Sequence, residues 1–196
     1  MTWHDIPGWS PDIVQFYEWC AKWLPQGSVF VEVGVFLGRS FAFMGERRPD
    51  LELWAVDQWQ DGESRGYIGP GIFTDAVKRY PSLFDAFIGH MQKYSPAVLA
   101  RAHVVRARST DVILSRRADL VFIDGAHDYE SVRDDIDHWR ANLHVGGMMS
   151  GHDYVPDGFP GVVQAVDERF GKPRIFPSSD RNLPPSCWYI GPPFAD

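Results

Sequence analysis

The chain has 196 residues, enough for one compact domain with a core of its own. Hydrophobic residues make up 44% and charged residues 23%, the balance of a globular domain, and no apolar run approaches the length that spans a bilayer. A formal charge of −7 with no basic stripe argues against a nucleic-acid partner and leaves small neutral or cationic ligands.

The opening MTWHDIPGWS lacks a basic region followed by an apolar core, so a secretory leader is not expected. Two distant cysteines, Cys20 and Cys187, with no CxxC pair, point to free thiols in a reducing, cytoplasmic setting.

Ser10, Pro11 and Asp12 read as the start of a helix that runs to about Trp23 and is ended by Pro25 and Gly27. A strand follows over Ser28–Val33, then a helix over Arg39–Glu46 that stops before Pro49. Leu51–Asp57 is a second strand, apolar on both faces as a buried parallel strand is. Residues 58–71 hold four glycines and a proline without periodicity, a long loop of the kind that serves ligands. Residues 72–80 and 82–94 read as helices, and His103–Ala107 as a short strand. Ser109, Thr110 and Asp111 are expected to cap a helix to about Arg116. A strand from Ala118 ends at Asp124 and Gly125. The next helix sets Val132, Ile136, Trp139 and Leu143 on one face. A strand from Val145 ends in His152 and Asp153, a helix over 161–170 ends at Gly171, and short strands lie near 174–176 and 187–190. The alternation predicts an α/β sheet with helices on both faces.

Four strands thus end in polar residues: Glu32, Asp57, Asp124, and the pair His152 and Asp153. In a parallel sheet such ends share one edge, where ligands bind at the point of strand-order reversal. In VFVEVGVFLGRS, Gly34 permits close backbone approach, and Gly38 is expected to let the following helix pack on its strand. The N-terminus of that helix would attract an anionic group. Asp57 lies 57 − 38 = 19 residues beyond Gly38, where an acid commonly takes ribose hydroxyls. The ligand is then a nucleoside with an anionic portion. The spacing G-x-x-x-G, not G-x-G-x-x-G, disfavours a dinucleotide and an NAD-dependent oxidoreductase. Glu32 would repel phosphate and suits the ammonium and sulfonium of S-adenosylmethionine.

The pieces VEVGVFLGRS, WAVDQW, DLVFIDGAHDYESVRDDIDHW, GGMMSGHDY and GVVQAVDERFG span about Val29 to Gly171. In this order they resemble the class I S-adenosylmethionine-dependent methyltransferases, most of all methyltransferase family 24, related to macrocin-type sugar O-methyltransferases. The resemblance implies a Rossmann-like, mostly parallel seven-stranded sheet with one antiparallel strand near the C-terminus. It implies one domain over 1–196, with 58–100 as a lid and acceptor-binding insertion. Glu32, Gly34 and Gly38 would surround the methionine moiety, Asp57 the ribose, Gln58 or Trp59 the adenosine, and Ser109 the adenine. Asp124, also beside the cofactor, would with His152 and Asp153 occupy the positions of metal ligands, for Mg²⁺ or another divalent ion. Relatives often read D-G-D where this chain has Ala126, and two adjacent acids where it has His152 and Asp153. His127 then stands in as general base, with Asp124 and His152 as catalytic partners.

The implied activity is O-methylation of a small-molecule acceptor, with no nucleic acid and no membrane involved. A homo-oligomer is compatible with the aromatics near both termini. Alternatives are an enzyme of the same fold and cofactor with lyase or hydrolase chemistry, and a binding protein without catalysis. His90, His138 and His144 read as ordinary surface or loop residues, and Trp54, Trp139 and Trp188 as core. Trp3, Trp9 and Trp59 read as partly exposed, with Trp59 able to stack on a ligand, and RDDID as a solvated helix face.

Overall fold

Seven strands pair in the order β3-β2-β1-β4-β5-β7-β6 in a computed structural model of the chain, which describes residues 2–8, 11–60, 77–178 and 185–191. They are β1 (Val29–Val33), β2 (Glu52–Asp57), β3 (His103–Arg106), β4 (Ala118–Ile123), β5 (Leu143–Gly151), β6 (Arg174–Ile175) and β7 (Trp188–Ile190). The first five run parallel, and β7 runs antiparallel to both β5 and β6. β1 lies between β2 and β4, so strand order reverses there and a crevice opens beyond its carboxyl end. Every residue of β1 is buried, which is why its sequence carries no polar face.

Six helices are described: α1 (Pro11–Trp23), α2 (Arg39–Arg47), α3 (Leu83–Tyr94), α4 (Pro96–Leu99), α5 (Tyr129–Asn142) and α6 (Pro160–Phe170). The first four pack on one face of the sheet, in a cluster that includes Phe16, Tyr17, Phe41 and Phe87. α5 and α6 cover the other face with Ile136, Trp139 and Val166. The Arg48 guanidinium binds the carbonyls of Ala21, in the last turn of α1, and of Leu24 and Pro25 just beyond it. No helix among the described residues is long and apolar enough to cross a membrane.

The elements depart from sequence expectation at few places. No helix spans 109–116: a single 3-10 turn, Ser109–Asp111, is followed by irregular chain. The Ser109 hydroxyl is turned to Asp135 instead of capping, and His138 Nε2 meets the Val112 carbonyl at 3.0 Å. Tertiary partners thus replace the helix's own hydrogen bonds. β5 starts at Leu143, directly after α5, and its pairing with β4 shifts between Ala118 and Leu120, next to Gly146 at φ +87°. α4 was not anticipated; Pro96 at its first turn presets the backbone. Within the stretch expected as a lid, residues 83–99 form α3 and α4 and bury Phe87, Met91 and Val98 in the core. Residues 61–76, most of the expected long loop and of the helix over 72–80, lie outside the described residues, as do Trp9 and Ser10.

Candidate active site

The chain after β1 sits directly on the end of β4. Gly34 has φ +85°, and a Cβ there would lie 2.1 Å from the Asp124 carbonyl oxygen, so no side chain fits. Two residues on, Phe36 is also left-handed, at φ +53°. Its N–H donates to Asp57 Oδ2 at 2.9 Å, and the Trp59 N–H donates to Asp57 Oδ1 at 2.7 Å. Trp59 Nε1 returns a hydrogen bond to the Phe36 carbonyl at 2.7 Å. Asp57 therefore ties the loop after β1 to the loop after β2. Burial raises its pKa against these bonds.

Trp59 is wholly buried and packs on Phe84 and Phe87, so it is a core residue and not an exposed stacking platform. Gly38 has a different neighbour from the expected one. At φ +90°, a Cβ would meet Met91 Sδ at 2.7 Å and Phe87 Cε2 at 2.9 Å, so it admits α3, not a strand. Gly45 makes the close approach to α4 and β2, where a Cβ would stand 2.5 Å from Val98 Cγ1 and 3.0 Å from Leu53 Cδ1. Glu32 lies buried below the loop, accepting from Tyr17 OH at 2.9 Å and Ser40 Oγ at 2.7 Å. Burial, opposed by these two bonds, pushes its pKa up to about 8.

A cleft of about 1210 Å³ runs over these strand ends. Gly34, Asp57, Gln58, Ser109, Asp124, His127, His152 and Asp153 line it; Glu32 and Gly38 do not. At the β3 side the Ser109 hydroxyl donates to Asp135, whose pKa burial pushes up to about 6. Asp135 belongs to RDDID and is buried, unlike Asp137, so that run is not simply a solvated face. Its signal in the sequence is position: three residues after Val132, it falls on the apolar side of α5. His90 also departs from expectation: it is buried on α3 between the rings of Tyr80 and Tyr94.

At the other end, carboxylates and imidazoles interlock. His127 Nε2 lies 2.7 Å from Asp153 Oδ2, and its ring packs on Phe159. His152 Nδ1 lies 3.1 Å from Asp153 Oδ1 and 3.5 Å from Asp124 Oδ1. Its Nε2 meets Asp12 Oδ2 at 2.9 Å and the Ser186 hydroxyl at 2.9 Å, and Ser186 also donates to Asp12. Asp12 and Ser186 escaped sequence reading, since nothing local links α1 or the chain before β7 to the end of β5. Burial works against a charge on His127, but the bond and charge of Asp153 outweigh it and raise the pKa. Burial likewise opposes charge on His152, and Asp124, Asp12 and Asp153 lift its pKa well above the usual value. Burial resists ionisation of Asp12, yet the bond and charge of His152 bring it down to about 2. Asp124 is raised by burial, against the pull of His152. Ligand atoms of Asp124, His152 and Asp153 all lie within 4.8 Å of one another, a spacing and a donor set that fit a divalent ion.

The strand order with its antiparallel β7, the glycine turn after β1, the acid ending β2 and the cleft above them define the class I methyltransferase fold, the S-adenosylmethionine-dependent class. Residues 31–154, more than half of the chain, match the family model described as a methyltransferase domain, and the chain belongs to that family.

Solved structures of the same fold are distant in sequence. The TDP-rhamnose 3'-O-methyltransferase of calicheamicin biosynthesis is 14% identical, with a TM-score of 0.61 over 92% of this chain and 78% of that one. The O-methyltransferase NovP is 17% identical, with a TM-score of 0.56 over 92% and 79%. An rRNA methylase from Streptococcus thermophilus is 14% identical, with a TM-score of 0.59 over 90% and 93%.

Proposed function

We propose that the protein moves the methyl group of S-adenosylmethionine to a hydroxyl of a small, sugar-like molecule. The observation that carries this reading is the His127–Asp153 pair, 2.7 Å apart, lining the same cleft as Gly34 and Asp57. Asp57 and Gln58 would hold the ribose side, Ser109 the adenine, and the chain at Gly34 the methionine moiety. The sulfonium methyl then faces Asp124 and the imidazoles. Transfer is an in-line displacement, for which the cleft supplies proximity and a proton acceptor. His127 takes the hydroxyl proton as the oxygen–methyl bond forms and the sulfur–methyl bond breaks. Asp153 stabilises the imidazolium that results. Asp124, His152 and Asp153 would hold a divalent ion, which would lower the pKa of the acceptor hydroxyl.

Among the described residues, eight carboxylates and two arginines line the cleft, which favours a small neutral or cationic acceptor over the RNA backbone. The O-methyltransferases among the similar folds support the same choice; the rRNA methylase shows that fold alone does not make it.

The test is calorimetric titration with S-adenosylmethionine, followed by assay of S-adenosylhomocysteine release over a panel of sugars and phenols. Cofactor binding and acceptor-dependent release are expected. Absence of cofactor binding would overturn the reading.

A further inference from the structure

Cys187, the residue before β7, is buried in the apolar cluster that holds Phe16, Tyr17 and Cys20 of α1. A buried cysteine mostly acts as a small apolar filler. This one also has a carboxylate and an imidazole beside it. One ligand atom each from Asp12, His152 and Cys187 lies within 4.8 Å of the others. Asp12 comes from α1 and His152 follows β5, so three elements far apart in sequence meet at this point. Asp12 and Cys187 both fall outside residues 31–154, the stretch that matches the family model.

The two nitrogens of His152 face unlike company. Nδ1 is turned to Asp124 and Asp153, which offer oxygen alone. Nε2 meets Asp12 and Ser186, each at 2.9 Å, and the Cys187 sulfur lies within 4.8 Å of the Asp12 carboxylate. Oxygen donors suit hard ions such as Mg²⁺, whereas a set of sulfur, nitrogen and oxygen suits zinc and other thiophilic ions. The charges agree as well. A carboxylate and a thiolate together cancel the two positive charges of such an ion, which lowers the cost of holding it in a largely buried place. Asp12, His152 and Ser186 line the cleft, so an ion has a route in.

We propose that Asp12, His152 and Cys187 form a site for a thiophilic divalent cation of the zinc class. On binding, the Cys187 S–H bond breaks, a sulfur–metal bond forms and the proton leaves to solvent. Three protein donors leave a fourth tetrahedral position for the Ser186 hydroxyl or a water. A neutral imidazole has one nitrogen lone pair to give, so an ion on Nε2 leaves the proton on Nδ1. A thiophilic ion here therefore withdraws His152 from any ion held with Asp124 and Asp153.

The test is titration of the intact, reduced protein with Cd²⁺, read by the thiolate-to-cadmium absorbance in the ultraviolet. No cofactor or acceptor is added, so the outcome does not depend on the methyl-transfer reading. The band is expected to appear and to saturate. Cys20→Ala should keep it, because the other thiol takes no part. Cys187→Ser should abolish it, and Asp12→Asn should raise the dissociation constant by about tenfold or more. Cadmium NMR on wild type should find one sulfur among the donors, a readout that depends on no variant's folding. A band that is absent, that vanishes in Cys20→Ala or that survives in Cys187→Ser would overturn the proposal. Two sulfurs on the ion, or an affinity unmoved in Asp12→Asn, would overturn it too.

Discussion

Asp12 and His152 are 140 positions apart in the chain and 2.9 Å apart in space. The contact fixes Nε2 of the imidazole and turns Nδ1 toward Asp124 and Asp153. An outer carboxylate that orients a metal-facing histidine commonly controls metal affinity about 10- to 100-fold. Asp12→Ala should therefore weaken Mn²⁺ binding by about that factor, as read by titration of the intact protein. S-adenosylmethionine affinity, which does not depend on this bond, should stay within about twofold. Unchanged Mn²⁺ affinity in the variant would mean that Asp12 does not position His152 for an ion.

His127→Ala should separate binding from chemistry. Loss of a general base lowers turnover by about 10²- to 10⁴-fold. The dissociation constant for S-adenosylmethionine should hardly move, because the imidazole, beside Phe159, lies at the end of the cleft proposed for the acceptor. Turnover within threefold of wild type would remove His127 from the mechanism.

Glu32 makes the fold sensitive to pH. Its pKa rises on folding from 4.5 to about 8, with burial as the main cause. Between those values the folded state binds more protons than the unfolded one, so stability is full below about pH 4.5 and falls as pH rises toward 8. The slope is ~1.4 kcal/mol per pH unit at most for one group. Glu32→Gln mimics the protonated form and keeps partners for Tyr17 and Ser40. Thermal melts from pH 5 to pH 8 should show a flatter dependence in the variant; parallel curves would contradict the assignment.

Two glycines with similar φ should respond differently to alanine. At Gly34 the new Cβ would collide with the Asp124 carbonyl, whereas at Gly27, φ +72°, nothing lies within 4 Å. Gly27→Ala pays backbone strain alone, about 1–2 kcal/mol. Gly34→Ala adds a backbone clash and should lose more than that in denaturant melts, together with cofactor binding. Equal losses would mean that the strand end relaxes freely.

The sheet was legible in the sequence because its central strands are apolar on both faces and end in acids. α1 and α2 were legible from their proline and glycine boundaries, and α5 from the spacing of Val132, Ile136 and Trp139. The convergence of Asp57, Asp124, His152 and Asp153 followed from parallel topology alone. What escaped was set by contacts distant in sequence. Ser109 looked like a cap but is bound by Asp135 from α5. Trp59 looked exposed in a glycine-rich loop but is drawn into the core by Phe84 and Phe87. Asp12 looked like a first-turn helix acid, a role that needs no partner, and the side chain it serves lies on another element.

The mount of His152 draws on α1 at one side and on Ser186, just before β7, at the other. β7 enters the sheet beside β5, with Trp188 opposite Gly151. During synthesis, a growing chain that has reached only β5 already carries β1 to β4 and the loops that line the cleft at their ends. It still lacks Ser186, one of the two partners of His152 Nε2. The floor of the cleft can thus take shape on the ribosome before the mount of His152 is complete, which waits for the last strand to emerge.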